Sequence, residues 1–235
     1  MTSKSRSNKP LALSVAFITE PGNVQRTVDR MLDFDGKPIP FSHAKTWAAM
    51  PEARRGKIKS TSAGIVAPGT HSRVAACIKA LFELGERAPV ETLRFTDFPQ
   101  AGLRTSRAIE WAPTVTINVH AVCWHNVGSQ PIIPLLQPRL TKLPDENLSL
   151  YATISRQAYC TGDWSHADIE VVDLSGDQTP YAKVIASKDI GEISEKRVRE
   201  FVETYIEAKA IADRIRSAHP KPKNKPKGED LFSRL

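Results

Sequence analysis

The chain has 235 residues, 40% of them hydrophobic and 25% charged, an ordinary globular composition with enough length to bury a core. Apolar runs such as "PIIPLL" over 131–136 are too short to span a bilayer, and Cys77, Cys123 and Cys160 form neither a disulfide framework nor a C-x-x-C pair, so a cytoplasmic protein is expected. The formal charge of +7 lies in the termini: residues 1–10 and 214–235 hold 10 basic and 2 acidic groups, which leaves the body close to neutral.

Within that body, residues 11–110 carry 14 basic and 10 acidic groups, whereas residues 111–213 carry 9 and 14. A domain with a basic and an acidic half can orient on a polyanion or pair with copies of itself. Residues 1–10 read as a disordered basic tail. "LALSVAFI" (11–18) reads as a buried strand ended by Pro21-Gly22-Asn23. "NVQRTVDRML" places Val24, Val28, Met31 and Leu32 on one helical face, with Asn23 as N-cap. "FDGKPIPF" is loop, and residues 51–70, "PEARRGKIKSTSAGIVAPGT", read as a long exposed connection. "SRVAACIKALFELG" is a helix with Val74, Cys77, Ile78, Leu81 and Phe82 inward, ended by Gly85.

Residues 86–113 hold two segments around Pro99-Gln100-Ala101-Gly102. A helix-turn-helix fits them superficially, but "LRTSRAIEW" has a weak apolar face and irregular turns fit better. "TVTINVHAVCW" alternates as a strand, with Val115, Ile117, Val119 and Ala121 on one face. "PIIPLLQP", studded with proline, suits an edge strand. "DENLSLYATISRQAYC" fits either period, and its Pro-Asp-Glu opening favours a helix. "ADIEVVDLSG" and "YAKVIAS" predict a hairpin. The long segment after Ser194 predicts a capped helix with Val198, Phe201, Val202, Tyr205, Ala208, Ala212 and Ile215 as its apolar stripe. Together these give an α+β fold: a mixed, mostly antiparallel sheet with packed helices and a long C-terminal helix. Residues 11–213 form a single domain in two lobes, their boundary near 99–113. Residues 214–235 are the helix end and a disordered Lys/Pro tail.

Four groups of residues could carry chemistry. Asp163, Asp168, Glu170 and Asp173 form an acidic set. Asp168 and Glu170 share a strand face about 6–7 Å apart, within reach of one metal ion, and Lys183 on the partner strand could assist a nuclease or other hydrolase. The expected pairing of an acid with a lysine on one strand is missing, so these carboxylates are expected on the solvent face of the hairpin, and no catalytic residue is assigned. Cys123 and His125 share a strand face, but Cys160 or His166 would have to join them from a distance, so neither a metal nor another cofactor is expected. The segment "ARRGKIKSTSAG" gathers Arg54, Arg55, Lys57 and Lys59 before Ser60, Thr61 and Ser62, which suits contact with phosphate, and Trp47 nearby could stack on a base.

The fourth group is the tail. Lys221, Lys223, Lys225 and Lys227 alternate with prolines on an extended tether that suits weak, salt-sensitive binding to DNA or RNA. Beyond it, Leu231, Phe232 and Leu235 form a terminal peptide able to anchor in the groove of a protein partner. "GEDLF" resembles the bacterial sliding-clamp-binding pentapeptide at Asp230, Leu231 and Phe232, although Gly228 and Glu229 depart from its usual Gln-Leu. The sequence thus reads as a nucleic-acid-associated accessory protein without a membrane segment. A metal-dependent hydrolase is the alternative, and an assembly subunit whose halves meet between copies is the third reading.

Overall fold

The first apolar run is a helix, not a strand. In the computed structural model, which describes residues 10–36, 43–90, 94–95, 106–112, 115–176 and 179–219, α1 spans Ala12–Ile18. Ala12, Leu13, Val15, Ala16 and Ile18 are all buried, so the run is apolar on nearly every side and its period carries no signal. Its last carbonyls are satisfied from elsewhere: Asn147 Nδ2 donates to Ala16 O and, at 3.0 Å, to Thr19 O. Only Leu11 keeps a strand-like bridge, to Asn118. The helix α2 (Val24–Gly36) follows as expected, with Asn23 Oδ1 accepting from the Arg26 N–H at 3.1 Å and Val28 and Met31 buried. It runs on through Phe34, Asp35 and Gly36, expected as the start of the "FDGKPIPF" loop, and residues 37–42 lie outside the described residues.

The long connection expected over 51–70 is loop from residue 55, but its first four residues are the end of a helix. The helix α3 (Ala44–Arg54) runs through Pro51 into its last turn, and only residues 55–71 are loop. Proline inside a helix costs roughly 3 kcal/mol, which is why the sequence reads as broken there. Burial of the apolar Met50, Pro51 and Ala53 offsets that cost. The helix α4 (Ser72–Arg87) then carries Val74, Cys77, Ile78, Leu81 and Phe82 inward. Gly85 does not end it but marks a close approach: a Cβ there would lie 1.8 Å from Ala53 O. Lys45 Nζ, at the start of α3, donates to Thr70 Oγ1 just before α4, at 3.1 Å. The two helices therefore run parallel, and the loop returns the chain along their length.

Among the described residues the strands in chain order are β1 (Arg94–Phe95), β2 (Ser106–Ala112), β3 (Val115–His120), β4 (Cys123–Val127), β5 (Gln130–Gln137), β6 (Asp168–Asp173) and β7 (Lys183–Ala186). β2 and β3 make a two-stranded antiparallel sheet, so "SRAIEWA" is a strand, neither helix nor irregular turn. The part-buried Arg107, Ile109 and Trp111 alternate along it with the exposed Ala108 and Glu110. The expected strand after Thr114 is split, because β3 belongs to this small sheet and β4 to the larger one. The larger sheet has the order β1-β4-β5-β6-β7, with β5 and β6 parallel and the other neighbours antiparallel.

β5 is therefore central, which corrects the edge-strand expectation. Its prolines are tolerated because its two neighbours barely overlap. β4 pairs with residues 130–132 and β6 with residues 132–137, so Pro131 and Pro134 each have a registered neighbour on one side only. The hairpin of β6 and β7 forms as expected, with Asp173 opposite Lys183. The helix α5 spans Asp145–Tyr159, and α6 spans Glu195–Ala218 with Ser194 Oγ accepting from the Arg197 N–H at 3.3 Å.

Alternation along the central strands divides the core. Ile133, Leu135, Ile169 and Val171 face the layer of α1, α2, α5 and α6, together with β3. Leu136, Val172, Leu174 and Cys123 face the other way, onto Met50 and Ala53 of α3 and Val74, Ile78 and Leu81 of α4. The result is an α+β fold in which a mixed, mostly antiparallel sheet separates two helical layers. The thinner layer, α3 and α4, carries the basic loop.

Candidate functional site

Arg54 and Glu170 were expected at two different surfaces, and the fold brings them together in the interior. Glu170 lies on the β6 face that carries Val172, toward α3 and α4; its carboxylate is buried, with a side-chain exposure of 9%. Arg54, in the last turn of α3, is exposed by only 4% and donates from Nη2 to Glu170 Oε1 at 3.2 Å. His125 of β4 shares the side of Cys123, and its Nε2 lies 3.2 Å from the same oxygen. Arg54 Nη1 also donates to Ala88 O at 3.2 Å, whereas Arg54 Nε has no partner among the described residues. Burial pushes the Glu170 carboxyl up, but the hydrogen bond with His125 and the Arg54 charge outweigh it and hold the group below the ordinary carboxylate range. Cys123 beside them is pushed up to about 12, by burial first and by the Glu170 charge in addition, so its thiol stays protonated.

The other carboxylates of the acidic set have separate partners. Asp168 accepts from Arg156 Nε at 3.0 Å and from the Ile169 N–H. Asp173 accepts from Ser175 N and Oγ, and by alternation it lies with Lys183 on the sheet face away from Glu170. Asp163 is exposed in a short 3-10 turn over Gly162–Trp164. Among the described residues no three of His, Cys, Asp and Glu stand close enough to hold a metal ion. Cys123 and His125 are buried against α3 and α4, while Cys160 closes α5 on the opposite face of the sheet.

The basic loop is accordingly smaller than its sequence suggests. Arg55 remains half-exposed and pairs with Glu52 at 2.7 Å, and Lys57 and Lys59 are exposed. Behind Lys59, Glu86 of α4 accepts from the Ser60 N–H and pins the loop to the helix. Trp47 is not an open stacking platform: it packs against the core on this side, its ring edge-to-face with His120 at 4.8 Å. At the other end of the layer, Arg73 donates to Pro138 O, Arg139 O and Leu174 O, the last at 2.6 Å, and clamps α4 to the carboxyl ends of β5 and β6. Burial, and then the charges of Arg73, Arg139 and His71, hold nearby His43 down to about 4. Residues 43–90, which make up this layer, contain eight basic and three acidic side chains, and Arg54 among them is neutralised by the sheet.

Lys221, Lys223, Lys225, Lys227, Leu231, Phe232 and Leu235 lie outside the described residues. No described helix is long and apolar enough to cross a membrane. No protein-family model matches the chain, and neither a curated protein nor a solved structure is similar to it.

Proposed function

We propose that this chain is a nucleic-acid-associated accessory protein that contacts phosphate through the outer layer of α3, the 55–71 loop and α4. The observation that carries the reading is the location of the charge. The body of the chain is nearly neutral, yet the 43–90 layer has an excess of five basic groups, and Arg55, Lys57 and Lys59 stand together on its loop. Lysine and arginine on an exposed loop gain affinity for polyanions by releasing counterions, without reading sequence. Arg54 is withdrawn from the phosphate-binding group because its charge is spent on Glu170. The Lys221–Lys227 run adds non-specific affinity in this reading, and Leu231, Phe232 and Leu235 dock a protein partner.

The test is a salt titration of binding to a fluorescent DNA duplex by the parent and by Arg55→Ser/Lys57→Ser/Lys59→Ser. The variant is expected to flatten the dependence of log K on log salt by roughly 0.9 for each phosphate it no longer neutralises. Its melting temperature should stay near the parent's, since exposed substitutions cost less than about 0.5 kcal/mol. Parental affinity and slope in the variant would remove the loop from the site.

A further inference from the structure

The root of the loop is held in three directions. Arg54 O accepts from the Val90 N–H at 2.9 Å, and Arg54 Nη1 donates to Ala88 O, which ties the end of α3 to the chain leaving α4. Gly56, at a φ of +67°, presses on α4 so closely that a Cβ would lie 2.4 Å from Gly85 O. The third hold is Glu170, which takes Arg54 Nη2 onto the sheet. Of the three it alone is an ion pair, and it alone fixes the layer to β6 rather than to itself. Without the carboxylate, a nearly buried guanidinium keeps one neutral carbonyl and an Nε already without a partner, and reaching water requires the last turn of α3 to move. Arg55 is the next residue.

We propose that Glu170 is a positioning residue for the phosphate-contacting loop: by holding Arg54 on the sheet, it sets the direction in which Arg55, Lys57 and Lys59 leave α3. This rests on the function proposed above. The groups that face Glu170 are Arg54 of α3 and His125 and Cys123 of β4; its register neighbours, Pro134 on β5 and Ala186 on β7, carry no charge.

Four variants of the full chain are compared with the parent on a fluorescent duplex: Glu170→Gln, Glu170→Asp, Arg54→Met/Glu170→Met and Arg55→Ser/Lys57→Ser/Lys59→Ser. Folding is checked by circular dichroism and melting. Glu170→Gln keeps an acceptor but removes the counter-charge of the buried guanidinium, and is expected to bind about tenfold more weakly for each phosphate left unneutralised at roughly 50 mM salt, with a shallower salt slope. Glu170→Asp keeps the charge and retains most of the binding. The Met pair leaves no buried charge, so it folds even if Glu170→Gln does not. It too should bind with a shallower slope, and trypsin should cut faster after Lys57 and Lys59. A merely structural role predicts the reverse for the Met pair, native stability and native binding together. Parental slope in the folded Met pair, beside a weakened triple variant, overturns the positioning role alone. Parental binding by the triple variant overturns the functional reading and this inference with it.

Discussion

Arg54 and Glu170 have the same chemistry wherever they lie; burial alone decides what they do. On a strand face open to water, Glu170 would be a candidate metal ligand, and on an open loop Arg54 would be a phosphate contact. Joined at 3.2 Å in the interior, they neutralise each other. Glu170→Gln is therefore expected to destabilise the fold by about 3–5 kcal/mol, the usual cost of removing one partner of a buried pair. The acid dependence follows from the direction of the shift. The folded carboxyl titrates below its ordinary 4.5, so the stability it contributes is present above that value and is lost as pH falls through the lower folded value. Denaturant unfolding of parent and Glu170→Gln should give a gap that is constant near neutrality and closes below about pH 4.5. A gap independent of pH would place the effect in packing rather than in charge. One signal of this pair was present in the sequence: Glu170 sits inside "IEVVDL", and a carboxylate in so apolar a strand needs a partner. The partner was not legible, because Arg54 lies 116 residues away.

Elements were legible where period and caps agreed. The helices α2, α4 and α6 each show an apolar stripe, and Asn23 and Ser194 cap as their chemistry suggests, whereas α5 fits either period and only its Pro-Asp-Glu opening points to a helix. Legibility failed where tertiary partners override local preference. α1 is apolar on nearly every side, and its carbonyls depend on a side chain more than a hundred residues away. Asn147→Ala should cost about 1–3 kcal/mol for each buried carbonyl left unpaired. Asn147→Asp, which cannot donate in its ionised form, should cost more; both are read from denaturant midpoints. β5 reads as an edge because of its prolines, whereas the short overlap of its neighbours admits it to the centre. Gly85 reads as a helix stop, yet it is the point at which α4 touches the α3 backbone. Gly85→Ala would gain about 1 kcal/mol of helix propensity on an open helix. Here the clash with Ala53 O should reverse the sign and destabilise by about 1–3 kcal/mol, as measured by the melting temperature and denaturant midpoint.

At the scale of the molecule, the division of charge along the chain becomes a division in space. The basic excess within residues 11–110 is concentrated in the 43–90 layer, on one side of the sheet. Lys183 faces the other side, and Lys188 is exposed in the turn after β7. Composition carried this much of the site: a net charge, its rough location and a cluster of cations. It did not separate Arg55, Lys57 and Lys59, which reach the surface, from the buried Arg54, because adjacent positions on a helix end point in different directions. If this layer meets phosphate, as proposed above, bound nucleic acid should shield its lysines, and a lysine footprint reads that shielding residue by residue. The protein, free and bound to a DNA duplex at low salt, is briefly acetylated, and the rate at each lysine is read by mass spectrometry. Slowed acetylation of Lys57 and Lys59 is expected in the complex, with unchanged rates at Lys183 and Lys188. Equal rates at Lys57 and Lys59 in the free and bound protein would refute the claim.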